Sequence, residues 1–118
     1  MPGISIHVVD VSHGVVARGM RVSLSSVDTN EVEALICAGQ IATSGLLEDT
    51  RMEKAFNAGC YVVRFEIADY YRRNGVAIPA QPFLGTVCYT FGVDDPNQHY
   101  HLPFKCTPWG YSCFRGGS

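Results

Sequence analysis

Apolar and polar residues alternate with a two-residue period in several short stretches of the chain, which is typical of half-buried β-strands and not of helices. In the first stretch, Ile4, Ile6 and Val8 alternate with Ser5 and His7. Successive side chains of a strand point to opposite faces, so the isoleucines are predicted to face a core. His7 is then predicted to lie on the face that the isoleucines leave vacant.

Further strands are predicted from the same alternation or from the turn residues on either side of it. These strands are residues 20–27, 31–41, 60–67, 86–93, 99–105 and 111–114. One short helix is predicted through residue 73, with Asp69 as its N-cap and Asn74-Gly75 as its end. Seven or eight short strands separated by turns favour an all-β protein, namely a β-sandwich.

Composition and charge restrict the classes of function. The chain has 118 residues, which fits one domain spanning residues 1–118, and its content of 47% hydrophobic and 17% charged residues is that of a packed globular protein. A net charge of -2 without a Lys/Arg run argues against nucleic acid or an anionic membrane as a partner. There is neither an apolar stretch long enough to span a membrane nor an export signal, so a cytoplasmic protein is predicted.

The chain contains five cysteines, at Cys37, Cys60, Cys88, Cys106 and Cys113. Their odd number and the absence of a CxxC pair argue against a secreted disulfide scaffold and against a four-thiolate zinc site. They are predicted to be reduced, and most of them to be buried as small hydrophobic residues. A nucleophilic role for Cys106 or Cys113 is disfavoured, because strand positions do not readily supply the base or helix N-terminus that lowers a thiol pKa.

The histidines are the strongest candidates for chemistry. His99 and His101 are two residues apart, so both side chains leave a strand on the same face, and strand pairing or a subunit contact could bring His7 beside them. Neutral imidazole is a common general base near pH 7. Two other interpretations stay open at this point: a zinc site with His7 as third ligand, and isolated strand histidines bonded to the backbone. His13, next to a turn glycine, is assigned to the second group.

The two ends of the chain carry recognisable motifs. Residues 6–10 read Ile-His-Val-Val-Asp, residues 99–103 read His-Tyr-His-Leu-Pro, and residues 107–116 read Thr-Pro-Trp-Gly-Tyr-Ser-Cys-Phe-Arg-Gly. These resemble the His-Val-Leu-Asp opening and the His-Tyr-His-Val-Pro and Ser-Pro-Tyr-Gly-Tyr-Ser-Thr-Tyr-Arg-Gly-Ser ending of the transthyretin-like family of 5-hydroxyisourate hydrolases. Residues 56–61, 69–71 and 81–84 are similar to the middle of that family.

The resemblance implies a transthyretin-like sandwich of two four-stranded sheets with one short helix. It also implies a homotetramer, a dimer of dimers, with active sites at the interface, so that His7 and His101 need not be adjacent within one protomer. The implied activity is hydrolysis of 5-hydroxyisourate in urate breakdown, by opening of a cyclic amide-like C–N bond, without a cofactor or metal. His7 and His101 match the catalytic histidines, and His99 is their neighbour at the substrate.

Two departures from the family pattern affect the expected site. Gly45-Leu46 stands where the family has a glycine and a substrate-binding arginine, and leucine supplies neither a hydrogen-bond donor nor a charge. Arg51 is the first candidate to replace that arginine, with Arg115 and Arg21 as alternatives.

The C-terminal end is the second departure. Phe114 replaces a tyrosine, and an additional glycine precedes Ser118. Phe114, Arg115, Gly116 and Ser118 are nevertheless expected to contact the substrate, because they match the family's final motif.

Two other functions are compatible with the sequence. One is a divergent transthyretin-like enzyme that acts on another reactive heterocycle in specialised metabolism, which Leu46 favours. The other is a non-catalytic carrier of a small ligand. Three histidines argue against the carrier, because an apolar channel does not need titratable groups.

Overall fold

The computed structural model describes residues 2–117, whose strands form two four-stranded β-sheets. The strands in chain order are β1 (Gly3–Asp10), β2 (Val15–Val16), β3 (Arg21–Val27), β4 (Glu33–Gln40), β5 (Gly59–Glu66), β6 (Thr86–Val93), β7 (His99–Thr107) and β8 (Gly110–Cys113). One sheet has the order β2-β1-β7-β8 and the other β4-β3-β5-β6. Only the β1–β7 pair is parallel among these strand pairs.

The core lies between the two sheets and confirms the predicted facing of the first strand. Ile4, Ile6 and Val8 of β1 are almost completely buried. Across the core, Phe65 of β5 stacks on Phe104 of β7 with ring centroids 3.7 Å apart. The inner face of the sheet is therefore largely apolar, with Asp10 as its buried polar residue on β1, and Ser5 and the histidines of β1 and β7 lie on the outer face.

The predicted strands are present, with ends that differ by one or two residues. Two short elements were not predicted: β2, and a 3₁₀ helix at Thr50–Glu53 that Asp49 caps through the backbone N–H of Arg51. The single α-helix of residues 2–117, α1, covers Ile67–Arg73. The prediction that Asp69 is its N-cap is wrong. The helix begins earlier because the backbone N–H groups of Ile67 and Ala68 both donate to the carbonyl of Gly85, a contact distant in sequence.

A buried carboxylate joins β1 to α1. Asp10 is 1% exposed. It accepts hydrogen bonds from the hydroxyl groups of Ser12 (2.6 Å), Tyr71 (2.7 Å) and Tyr70 (3.0 Å). Nδ1 of His13 lies 2.6 Å from Oδ2 of Asp10, so this ring is paired with a carboxylate and not bonded to the backbone as predicted. In residues 2–117 no helix has the length and apolar character needed to cross a membrane.

The cysteines are all free thiols, but the prediction that most are buried is wrong. Cys37 and Cys106 are buried, Cys113 is partly buried, and Cys60 and Cys88 are exposed. Cys60 and Cys88 lie on the outer faces of β5 and β6, because they occupy the positions that alternate with core residues.

Candidate active site

Three imidazoles lie on the outer face of the β2-β1-β7-β8 sheet. The parallel pairing of β1 with β7 sets Gly3 opposite His99 and Ser5 opposite His101, so His7, His99 and His101 share one face. All three side chains are half-buried. The histidines from opposite ends of the sequence therefore meet within a single chain, whereas the resemblance had suggested a meeting across protomers.

His101 is held in an environment that disfavours its charged form. Burial lowers the pKa of this imidazole, and the neighbouring rings of His7 and His99 lower it further. A neutral His101 at pH 7 can accept a proton, which is what a general base must do.

Ser5 joins two of the histidines and was not recognised in the sequence. Its Oγ lies 2.8 Å from Nε2 of His99 and 2.6 Å from Nδ1 of His101. The signal that could have found it is positional, since Ser5 is two residues from His7 and so shares its face of the strand.

A loop after β4 closes one side of the His7 ring. The backbone N–H of Val8 donates to the carbonyl of Gly45 (2.9 Å), and that of Leu47 donates to the carbonyl of Ile6 (3.1 Å). These two bonds form an isolated antiparallel β-bridge between His7 and Leu46. Gly45 has φ of +84°, and a Cβ there would overlap the imidazole. Glycine is therefore required both by the backbone conformation and by the close approach of His7.

The C-terminal segment lies against the other side of the site. The backbone N–H of Gly116 donates to the carbonyl of His101 at 2.7 Å. The guanidinium of Arg115 stacks 4.0 Å from the ring centroid of Tyr100 and donates to the carbonyl of His99 at 3.2 Å. Arg115 thus fixes the segment to β7 through its own side chain.

Two other predicted site residues, Phe114 and Ser118, belong to the C-terminal segment. Phe114 is 47% exposed, and Nζ of Lys105 lies 5.9 Å from its ring centroid. Ser118 lies outside the described residues. Phe114 and Ser118 as substrate contacts therefore stay predictions.

The contact of Gly116 with His101 gives a direct test of the site geometry. A Cβ at Gly116 would lie 2.8 Å from Cδ2 of His101 and 3.1 Å from Pro103, whereas a Cβ at Gly117 would meet nothing within 4 Å. In Gly116→Ala we expect the His101 ring to move, because such a short carbon–carbon contact cannot persist. The ring resonances of His101 in an NMR spectrum should shift, while those in Gly117→Ala should not. Unchanged resonances in Gly116→Ala would contradict the observed packing.

A cleft of about 630 Å³ opens beside His99. Among the described residues that line it there is no lysine or arginine, and three carry carboxylates. Leu46, at the position of the expected family arginine, contributes an apolar side chain to the wall. The lining residues are Pro2, Ile4, Ser5, Leu46, Leu47, Glu48, Asp49, Thr50, Met52, Glu53 and His99.

The structure does not place Arg51 in the wall of this cleft. Its Nε and Nη2 donate to the carboxylate of Asp49 at 2.9 and 2.6 Å. This side-chain hydrogen bond lowers the pKa of Asp49 to about 2, so the carboxylate stays ionised and the pair is neutral overall. Arg21, the other alternative, lies on β3 in the second sheet, 4.0 Å from Asp69.

Neither a reactive thiol at Cys106 or Cys113 nor a metal-binding cluster is found among the described residues. Burial raises the pKa of Cys106 and of Cys113 to about 11, so both stay protonated thiols at neutral pH and are poor nucleophiles. Within residues 2–117, no group of three or more His, Cys, Asp and Glu side chains has an arrangement that could hold a metal ion.

Comparison with known proteins identifies the family. A model of the HIUase/Transthyretin family matches residues 4–116. A protein of Halalkalibacterium halodurans named 5-hydroxyisourate hydrolase is 38% identical over 114 residues, which cover 96% of this chain and 96% of that protein.

Two solved structures have the same fold. The 5-hydroxyisourate hydrolase of Klebsiella pneumoniae is 26% identical, with a TM-score of 0.79 over 99% of this chain and 100% of its own. An (S)-allantoin synthase is 30% identical, with a TM-score of 0.85 over 98% of this chain; the match spans 43% of the synthase chain. These matches confirm the predicted all-β, transthyretin-like two-sheet sandwich with one short helix. The chain belongs to the HIUase/transthyretin family.

Proposed function

We propose that this protein hydrolyses 5-hydroxyisourate, opening a cyclic amide-like C–N bond in urate breakdown, with His7 and His101 as the acid/base pair. The observation that carries the proposal is the convergence of three imidazoles on one face of β1 and β7, where His99 and Ser5 also line a cleft. Membership of the family and the names of its similar relatives support the choice of substrate.

The chemistry follows from the protonation states that the site favours. A water molecule attacks the ring carbonyl while a neutral imidazole removes its proton, and His101 is suited to that step because burial lowers its pKa. A second imidazole, that of His7, then protonates the leaving nitrogen or stabilises the charge that develops on the oxygen. Both groups are carried by strands, which hold them in a defined geometry.

The proposed activity can be tested by ultraviolet spectroscopy on freshly generated 5-hydroxyisourate. Its absorbance decays spontaneously, so the measurement compares decay with and without the protein. An accelerated decay that is proportional to protein concentration is the expected result. Decay at the spontaneous rate alone would contradict the choice of substrate.

A second candidate function is favoured by the composition of the cleft. Leu46 and the carboxylates of Glu48 and Glu53 line it without a described lysine or arginine, and the charge of Asp49 is compensated by Arg51. Such a wall suits a neutral or cationic heterocycle better than an anion. If 5-hydroxyisourate is not turned over, hydrolysis of other cyclic amides that depends on His101 would identify a divergent enzyme. Binding of an aromatic ligand without any turnover would instead identify a carrier.

Replacement of Arg51 tests whether it substitutes for the family arginine. Because the guanidinium is bonded to Asp49, we expect kcat/KM of Arg51→Ala to stay within about 3-fold of the wild type, less than the tenfold change that 1.4 kcal/mol of binding energy would cause. Arg21→Ala is a matched control on the other sheet. A loss much larger than tenfold in Arg51→Ala alone would show that Arg51 leaves Asp49 and binds the substrate.

The proposal includes a homotetramer, a dimer of dimers, with its sites at the interface, and a cytoplasmic location. Exposed apolar side chains support an assembly: Trp109 is 63% exposed and Tyr111 is 48% exposed, both beside or on β8 at the edge of its sheet. Five free cysteines support a reducing compartment. Native mass spectrometry should give four times the mass of the chain; a monomer would contradict the proposed assembly.

A further inference from the structure

The hydroxyl of Ser5 has two imidazole partners but only one proton. Its Oγ is 2.6 Å from Nδ1 of His101 and 2.8 Å from Nε2 of His99, and both distances are those of hydrogen bonds. A hydroxyl donates one hydrogen bond and accepts others through its lone pairs. When both rings are neutral, Ser5 can donate to only one of them, and donation to one ring with acceptance from the other links the tautomers of the two rings.

This link allows two arrangements of the protons. In the first, Nδ1–H of His101 donates to Ser5, and Ser5 donates to Nε2 of His99. In the second, Nε2–H of His99 donates to Ser5, and Ser5 donates to Nδ1 of His101. The first arrangement leaves Nε2 of His101 unprotonated and able to take a proton from water, whereas in the second Nε2 of His101 already carries its proton.

We propose that Ser5 is a positioning residue that passes a proton from His101 to His99 during each reaction cycle. The inference rests on the proposed role of His101 as general base. When Nε2 of His101 takes the proton of the attacking water, Nδ1 releases its proton to Oγ of Ser5, and the hydroxyl releases its own to Nε2 of His99. His101 ends neutral, with its proton on Nε2, Ser5 again has one proton, and His99 ends as the imidazolium.

The surroundings of His101 favour transfer of the proton away from its ring. His101 is partly buried and faces His7 and His99, which disfavours a positive charge there. His99 and Ser5 line the cleft, and three carboxylates line the same cleft. The charged group of the C-terminal segment, Arg115, contacts the backbone carbonyl of His99 and is stacked on Tyr100.

The tautomers can be measured directly by ¹⁵N NMR of the histidine rings, without substrate. In the wild type we expect complementary tautomers, with one of the two Ser5-bonded nitrogens protonated and the other not, and linked titration of the two rings. Ser5→Ala should unlink the rings, so that each titrates independently. Ser5→Thr, which keeps the hydroxyl, should restore the link. Histidine spectra that are identical in Ser5→Ala and the wild type would overturn the proposal.

Kinetics supply the second test. We expect kcat of Ser5→Ala to fall by about 10- to 100-fold with little change in KM, since a proton-transfer step is lost while substrate contacts remain. The dependence of kcat on the fraction of D₂O should change from curved, with several protons moving, to linear. Ser5→Thr should recover most of kcat, and Ser112→Ala, an exposed serine on β8 of the same sheet, should match the wild type.

These two tests separate failure of the relay from failure of the proposed substrate. An unchanged kcat in Ser5→Ala would reject the relay even if the enzyme hydrolyses 5-hydroxyisourate. If the wild type does not turn over this compound, the NMR experiment still decides whether Ser5 links the two histidines. Circular dichroism of each variant checks that the sandwich is intact.

Discussion

Replacement of His101 by asparagine should lower the rate of 5-hydroxyisourate hydrolysis by about 10²- to 10⁴-fold, the usual contribution of a general acid or base. Asparagine is smaller than histidine and its amide can still bond to Ser5, but it cannot take up a proton at neutral pH. The half-buried position on β7 tolerates a polar side chain, so the free energy of unfolding should change little. The measurement is kcat and KM from the ultraviolet decay assay, with circular dichroism as a check of folding.

His13→Asn is the matched control for this experiment. His13 is the histidine outside the site, and its side chain is 50% exposed in the turn after β1. The same chemical change there should leave kcat within about 3-fold of the wild type, because surface substitutions away from a site have small effects. If His101→Asn retained the wild-type kcat, His101 would be removed from the mechanism and His7 or His99 would have to act as the base.

The pH profile of kcat/KM provides an independent check on His101. Since burial lowers its pKa below the ordinary histidine value, the imidazole stays in its basic form to lower pH than a free histidine would. Activity should therefore persist below pH 6.5 and decline as the pH falls through the lowered pKa. A decline that begins above pH 6.5 would show that a different group is the base.

Strand alternation was sufficient to predict which side chains of β1 and β7 share a face. Ile4 and Ile6 face the core as predicted, and His99 and His101 lie together on the outer face. No local pattern in the sequence predicts which strands pair with each other. The pairing of β1 with β7 is parallel and joins residues more than 90 positions apart, such as Ser5 and His101. Both the meeting of the histidines in one chain and the role of Ser5 depend on that register.

Other features were missed because contacts outside the motifs decide them. The start of α1 depends on the carbonyl of Gly85 and not on a capping side chain, so Asp69 gave a false signal. The charge of Arg51 is compensated by Asp49, two residues earlier, once the 3₁₀ helix forms. A motif can therefore indicate which residues belong to a site, whereas the available charge in that site depends on neighbours that the motif does not contain.

Replacement of Asp10 by alanine should be the most destabilising single change considered, at about 3 kcal/mol, because it leaves buried hydroxyl groups without an acceptor. The carboxylate is 1% exposed and accepts from Tyr70, Tyr71 and Ser12, which join β1 to the helix. A loss of this size lowers the Tm of a chain this long by roughly 10 °C. Urea unfolding followed by circular dichroism measures it. A loss below about 1 kcal/mol would show that the hydroxyl groups find other partners.

Asp10→Asn separates the charge from the hydrogen bonds. The amide keeps an acceptor oxygen for Tyr71. The loss of unfolding free energy in Asp10→Asn at pH 7 should therefore be smaller than the loss in Asp10→Ala. Burial alone would raise the pKa of Asp10, but the hydrogen bonds from Ser12, Tyr71, His13 and Tyr70 outweigh it and lower the pKa.

A lowered pKa fixes the sign of the pH dependence. The ionised carboxylate contributes stability above the unfolded-state pKa of about 3.9, and this contribution is lost as the pH falls through the folded-state pKa. The difference in unfolding free energy between wild type and Asp10→Asn should therefore be largest near pH 7 and should decrease below about pH 4. Measurements at pH 7 and pH 3 test this, and an equal difference at both values would mean that the charge of Asp10 does not stabilise the junction between β1 and α1.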